Sequence, residues 1–195
     1  MYKVGLTGGM GSGKSFIANI FETFDIPIYY ADARAKDLMY RHKPLKQAIK
    51  SLLGTKAYHR NGRINRPFIA NAIFRDKKLL KGINALVHPA VKSDFEHWAE
   101  QQTSNYVIEE SAILFEINGQ SNFDAVILVI ADLETKIQRI ISRDGLSRGE
   151  IKSRMKNQFE DSVKIPLADF IIENSGNKSI LQQVLKIHKE ILKKI

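Results

Sequence analysis

No cysteine occurs among the 195 residues, so a disulfide framework, a thiolate metal site and a cysteine nucleophile are all excluded. Long hydrophobic runs are missing too. No apolar stretch approaches the roughly 18 residues of a membrane span, so no membrane partner is expected. There are no internal repeats and no low-complexity tract. The N-terminus opens directly into a strand-like segment, which predicts no signal or transit peptide and, with cysteine absent, a cytoplasmic location. What remains is the make-up of an ordinary globular chain, 44% hydrophobic and 26% charged. Its length suffices to bury a core in one domain with a subsidiary lobe. The formal net charge of +9 points to a polyanion, but composition cannot choose among nucleic acid, an acidic membrane and a small ligand carrying several phosphates.

The pattern along the chain alternates strands with helices. "YKVGLTG", "IPIYYAD", "NYVIEES", "DAVILVIA" and "ADFIIEN" read as five strands, each apolar enough to be covered on both faces. The second ends in Asp32. "SFIANIFETF" reads as a helix with Phe16, Ile17, Ile20, Phe21 and Phe24 on one side, and the tail repeats Ile180, Val184, Ile187, Ile191 and Ile195 as a surface helix. Residues 53–68 are turn-rich. Helical patterns then run from Arg66 to Gln102, with breaks expected near Gly82 and at His88-Pro89. This order predicts a doubly wound five-stranded parallel sheet flanked by helices. Too many consecutive helices follow residue 44 for a simple crossover. The expected division is therefore a core of 1–43, 104–142 and 166–195, an inserted helical lobe at about 44–103 and a lid at about 143–165.

"GLTGGMGSGKS" carries the chemistry. Gly8, Gly13, Lys14 and Ser15 fit G-x-x-x-x-G-K-[ST], placed after a strand and opening a helix. Glycines let backbone amides turn inward around phosphates, and the helix aims its positive end at them. Lys14 would reach the β- and γ-phosphates and Ser15 would place its hydroxyl on Mg²⁺. The alternative, a purely structural glycine turn, requires neither lysine nor serine. The motif predicts a nucleoside triphosphate.

Where the phosphoryl group goes is less marked. Asp32 should share the crevice at the strands' carboxyl ends, able to accept a hydroxyl proton or to hold a water on Mg²⁺. Equally, it could cap the helix of "ARAKDLMY". A hydrolytic motor usually shows an aspartate after its third strand, and here Glu109 and Glu110 lie within that strand instead. In "KIQRIISRDGLSRGEIKSRMKNQ", Lys136, Arg139 and Arg143 share a helical face, and Ser147 with Glu150 forms a capping box. Two basic helices hinged at Asp144-Gly145 could close over a triphosphate, or they could be a solvated face. No aromatic-plus-basic strand surface of the kind that stacks single-stranded bases is evident, which argues against a nucleic-acid partner.

Together these segments resemble the dephospho-CoA kinase family, over nearly the whole chain. "GLTGGMGSGKS" resembles its phosphate loop, "YADARA" its Asp-Ala-Asp-x-x-Ala, "LVHPAV" its His-Pro motif and "AILFE" its Pro-Leu-Leu-Phe-Glu. "SRDGLSRGEIKSRMKNQ" resembles its lid, with Arg154 and Gln158 as Arg-x-x-x-Gln, and "ADFIIENSG" the segment beside its adenine. The resemblance implies phosphoryl transfer from ATP to the ribose 3′-hydroxyl of dephospho-CoA with Mg²⁺. It implies that Gly8, Gly9, Met10, Gly11, Ser12, Gly13, Lys14 and Ser15 hold ATP and the metal, with Asn174 and Gly176 bordering adenine. Lys14, Asp32 and Arg143 would be catalytic, and His88 and Pro89 would lie on the acceptor side. For His88 a helix-start position ahead of Pro89 is the plain alternative. Two positions depart from the family pattern: Tyr30 replaces its first Asp and Ala112 its Pro.

Overall fold

The computed structural model describes residues 1–176 and 178–195. The chain forms two compact units, Met1–Tyr30 with Gln102–Ile195, and Ala31–Gln101.

In the first unit β1 (Tyr2–Gly8), β2 (Ile28–Tyr30), β3 (Tyr106–Glu110), β4 (Ala125–Ile130) and β5 (Phe170–Glu173) make one sheet in the order β2-β3-β1-β4-β5. Every pairing is parallel, with Leu6 opposite both Glu110 and Ile127. Apolar side chains cover both faces, so the strands read as continuous hydrophobic runs. On one face α1 (Lys14–Glu22) and α9 (Ile180–Leu192) bury Ile17, Phe21, Val184, Ile187 and Ile191 against Val4, Leu6 and Ile127. Each such side chain contributes about 1.5–3 kcal/mol. Elsewhere Leu114 and Phe115 pack with Val126 and Leu128. The helices α6 (Leu133–Asp144) and α7 (Arg148–Met155) meet through Ile137, Ile140 and Ile151, and α8 (Asp161–Lys164) follows. The capping box of α7 forms as expected, with Ser147 and Glu150 satisfying one another's backbone N–H.

The second unit is entirely helical apart from a short antiparallel bridge, Tyr58 to Ile64. It comprises α2 (Ala31–Arg41), α3 (Lys43–Leu53), α4 (Arg66–Arg75) and α5 (Lys77–Glu100) around Leu45, Ile49, Tyr58, Ile69 and Ile83. It begins at Ala31 rather than at 44, because Leu38 and Met39 of α2 pack into that cluster and Arg34 grips Asp94 of α5 through two hydrogen bonds of 2.8 and 2.9 Å. Strand β2 accordingly stops at Tyr30, two residues short of Asp32.

The breaks expected in the long helix are not where the residues suggested. The chain breaks at Asp76, whose carboxylate caps the Lys78 N–H, and α5 then runs unbroken through Gly82 and Pro89. Gly82 is a contact and not a breaker, since a Cβ there would lie 3.0 Å from Leu52 Cδ2. Pro89 removes one helical hydrogen bond, and the buried Ile83 before it with Val91, Phe95 and Ala99 after it hold the helix together. Charge is concentrated in this unit. Between Asp37 and Asp76 there is no Asp or Glu but nine Lys and Arg, equal to the whole formal net charge of +9. Of these cations only Arg41 has a carboxylate partner, Asp37, among the described residues.

Candidate active site

β1 delivers the chain into the Gly8–Ser15 loop at the centre of the sheet, and α1 leaves it at Lys14. Gly8 permits the approach of β4, since a Cβ there would stand 2.3 Å from Val129 O. Gly13 caps α1 with φ +93, and a Cβ on it would collide with Asn174 Nδ2 at 2.2 Å. Ser12 N–H closes a turn on Gly9 O at 3.1 Å. No acidic residue occupies the first turn of α1, so its N-terminal N–H groups present an uncompensated positive end.

Lys14 Nζ stands 3.7 Å from Glu110 Oε1, with both side chains about nine-tenths buried. Glu110 is the last residue of β3, one strand over, so the carboxylate of this strand is where a Walker-B acid would be sought. Period-2 alternation with the buried Tyr106 and Ile108 is the available signal. Its neighbour Glu109 projects to the opposite side of the sheet, and burial pushes its carboxyl up to about 7. Ser15 is exposed on the first turn of α1. Its hydroxyl and the Glu110 carboxylate are hard oxygen donors suited to Mg²⁺. Among the described residues no three His, Cys, Asp or Glu side chains converge, so this donor set fits an ion completed by phosphate oxygens and water rather than an all-protein cage.

The loop is braced from behind. Asn174, just beyond β5, donates its Nδ2 to Ser12 O at 2.8 Å. Arg139 of α6 donates through Nη1 to Ser12 O at 3.3 Å, and through Nη2 to Asn174 O and Oδ1 at 3.0 and 3.2 Å. The three cations of the α6 face thus divide. Lys136 is buried in a close ion pair with Asp161, Arg139 supports the loop, and only Arg143 is exposed. Arg143 lies in a two-point pair with Asp144 at 2.8 Å, which lowers the Asp144 pKa. Gly145 ends α6 with φ +66, the expected hinge position.

Beside the loop is a cavity of about 660 Å³ lined by Gly9, Met10, Ala131, Leu133, Lys136, Lys152, Met155 and Asp161 among others. At its rim the link between α7 and α8 is fastened by contacts no sequence pattern announced. Gln158 Oε1 accepts the Met10 N–H at 2.8 Å. Glu116 Oε1 accepts the Phe159 N–H at 2.9 Å and stands 2.8 Å from Lys164 Nζ, off the line of a hydrogen bond. Of the two family departures, Tyr30 acts through its own side chain, whereas Ala112 acts only through its backbone. The Tyr30 hydroxyl reaches Glu22 Oε1 (3.1 Å) and Asn19 Oδ1 (3.2 Å), strapping β2 to α1, and burial followed by the Glu22 bond pushes its pKa up to about 12. Ala112 contributes its carbonyl to Gln158 Nε2 at 2.9 Å.

Asp32 is exposed and lies inside the first turn of α2, after the already helical Ala31, so it is not the cap residue. His88 is mid-helix in α5, not at a helix start; it is half-buried, which lowers its pKa, while Pro89 is exposed. Gly176 turns the chain after β5 with φ +91, and the preceding Ser175 Oγ accepts the Asp132 N–H at 3.0 Å.

A model of the dephospho-CoA kinase family (CoaE) matches residues 2–179. Dephospho-CoA kinase of Porphyromonas gingivalis is 38% identical over 188 residues, covering 96% of this chain and 93% of that protein. A crystal structure from Thermus thermophilus superposes with a TM-score of 0.88 at 29% identity, over 98% of this chain and 97% of that one. Dephospho-CoA kinase from Campylobacter jejuni has the same fold, with a TM-score of 0.71 at 24% identity over 98% of each chain. A match of that extent allows one assignment: the chain belongs to the dephospho-CoA kinase family.

Proposed function

We propose that this protein transfers the γ-phosphoryl group of ATP to the ribose 3′-hydroxyl of dephospho-CoA, giving CoA and ADP, in the cytoplasm. The observation that carries this reading is the complete cradle from Gly8 to Ser15, with Lys14 at its helix start, in a chain of this family. The loop amides hold the ATP phosphates, and Lys14 leaves Glu110 for the β- and γ-phosphates. Asn174 and Gly176 place the β5 end beside the adenine. Ser15, with Glu110 through water, would hold Mg²⁺, which supplies charge neutralisation at the β- and γ-oxygens. The hydroxyl oxygen attacks the γ-phosphorus as the bond to the β–γ bridging oxygen breaks, and ADP leaves. The hydroxyl proton passes to Asp32 and then to solvent. Arg143 leaves Asp144 to stabilise the transferring group when residues 143–165 close as a lid.

The helical unit receives the acceptor, with His88 and Pro89 on that side. Its many cations, mostly without carboxylate partners among the described residues, suit a pyrophosphate-bearing molecule. The deciding experiment measures ADP release from MgATP with dephospho-CoA, adenosine, CMP, UMP, single-stranded DNA and water alone. The expected result is stoichiometric ADP with dephospho-CoA and CoA detected by mass. Release with a nucleoside or nucleotide instead would discard the acceptor, and release driven only by DNA would discard the kinase reading.

A further inference from the structure

Gln158 lies in the short link between α7 and α8, and the reaction above gives it nothing to do. Both ends of its amide are nonetheless committed, Oε1 to the Met10 N–H at 2.8 Å and Nε2 to Ala112 O at 2.9 Å. The partners settle which end is which, since a peptide N–H requires the oxygen and a carbonyl requires the nitrogen. One side chain therefore joins the phosphate loop to the segment after β3.

Met10 is also held from a second direction. Its side chain packs against Ile137, Ile140 and Ile151, the cluster that joins α6 to α7. The residues after Gln158 are anchored separately, Phe159 on Glu116 and Asp161 on Lys136. The base of the lid thus meets the phosphate loop at Met10, inside the turn that Ser12 N–H closes on Gly9 O.

We propose that Gln158 is a positioning residue for phosphoryl transfer, holding the Met10 peptide so that the leading turn of the phosphate loop sets where the γ-phosphoryl group points. The peptide joining Gly9 and Met10 is planar, so a rotation that frees the N–H also swings the Gly9 carbonyl. Such a rotation would move the turn on which Ser12 closes. The amides from Gly11 to Ser15, and Lys14, do not touch Gln158 and would still bind ATP. Loss of Gln158 should therefore be felt in turnover more than in nucleotide affinity, since a misplacement of about 1 Å can cost roughly 100-fold in rate.

The proposal rests on the kinase reading, and two readouts keep the two apart. Gln158→Met preserves length but makes neither hydrogen bond, and Gln158→Glu preserves an oxygen for Met10 while losing the donor to Ala112. Hydrogen exchange at the Met10 amide is read in the free protein, and kcat and KM for ATP are read with dephospho-CoA. For Gln158→Met we expect Met10 exchange faster by about tenfold or more, kcat lower by about 10–100-fold, and KM for ATP within about threefold of the parent. Gln158→Glu should keep slow exchange and kcat within about threefold of the parent. The proposal is overturned if Gln158→Met keeps its kcat, if both variants fall equally, or if kcat, KM and thermal stability decline together. Should Gln158→Met not fold, Gln158→Glu decides alone, and loss of slow exchange or of turnover overturns the proposal. If the parent protein shows no transfer to dephospho-CoA, the kinase reading fails, and Met10 exchange still tests the contact.

Discussion

Arg139 holds Asn174 by two acceptors at once, its backbone oxygen at 3.0 Å and its Oδ1 at 3.2 Å, from 35 positions away in the chain. Asn174 in turn donates to Ser12 O in the phosphate loop. Helix α6, the end of β5 and the loop are thereby one hydrogen-bonded network around a buried amide. Such networks are valuable only when every member is satisfied.

Asn174→Ala leaves Ser12 O without its shortest donor and Arg139 with a lost acceptor. The expected cost is about 1–3 kcal/mol of stability, together with weaker ATP binding as the loop loosens. Urea denaturation and ATP titration of the variant check this. Unchanged ATP affinity would mean that Arg139 alone braces the loop.

Much of this unit is legible in the sequence because it obeys simple rules. The five strands, the glycine loop and the Ser147–Glu150 box each follow from local periodicity or a motif of fixed spacing. The long helix departs from its sequence pattern at Gly82 and Pro89. Both residues break isolated helices, whereas here Leu52 and the apolar residues around Ile83 and Phe95 decide the matter by packing. The resemblance marks Gln158 and the Glu116 of "AILFE" as motif positions, but what they and Lys164 fasten to is not legible, for a different reason. Their partners lie about forty or more residues away, and a side chain meeting a distant backbone group leaves no periodic trace.

Lys14 and Asp32 separate binding from chemistry. Lys14→Ala removes the cation nearest the cradle and should lower turnover by at least about 100-fold. Asp32→Asn should lower turnover by about 100-fold or more while leaving ATP affinity within about threefold. Steady-state kinetics with parallel ATP titrations distinguish them. Full turnover in Asp32→Asn would show that the carboxylate serves only the first turn of α2.

The Glu116–Lys164 pair is a structural hazard as well as an anchor. Lys164 is fully buried and Glu116 nearly so, and removing one member leaves an uncompensated charge costing about 3–5 kcal/mol. Lys164→Met alone and Glu116→Leu alone should each be strongly destabilised, whereas the double variant should recover part of the loss, the Phe159 N–H still lacking its acceptor. Chemical denaturation of the three variants forms a cycle. A loss in the double variant equal to the sum of the two single losses would mean that the pair is not coupled.

Charge concentrated in the helical unit predicts a salt effect on one substrate only. Arg60 and Arg63 are exposed and have no carboxylate partner among the described residues, so neutralising both to Gln should lower kcat/KM for dephospho-CoA by about tenfold at low ionic strength. KM for ATP should not move. Near 1 M salt, where screening acts within about 3 Å, the difference should vanish. A parallel loss for ATP would mean that the field serves both substrates.

Glu109 predicts how stability depends on pH. Burial raises its carboxyl to about 7 in the folded chain, against 4.5 as the ordinary value. Between those two values the folded state holds a proton that the unfolded state has released, so unfolding liberates protons and stability falls as pH rises. Below about pH 4.5 both states are protonated and the effect is absent. Above about pH 7 it is fully developed, and a tenfold difference in proton affinity corresponds to about 1.4 kcal/mol, so the loss is at most roughly 3–4 kcal/mol. Glu109→Gln carries no such charge. The parent should lose stability between pH 5 and pH 8 by an amount the variant does not, and at pH 8 the variant should be the more stable of the two. Denaturant melts of both proteins at these pH values test the sign, and parallel pH profiles would show that the Glu109 carboxyl ionises in the folded chain as freely as in the unfolded one.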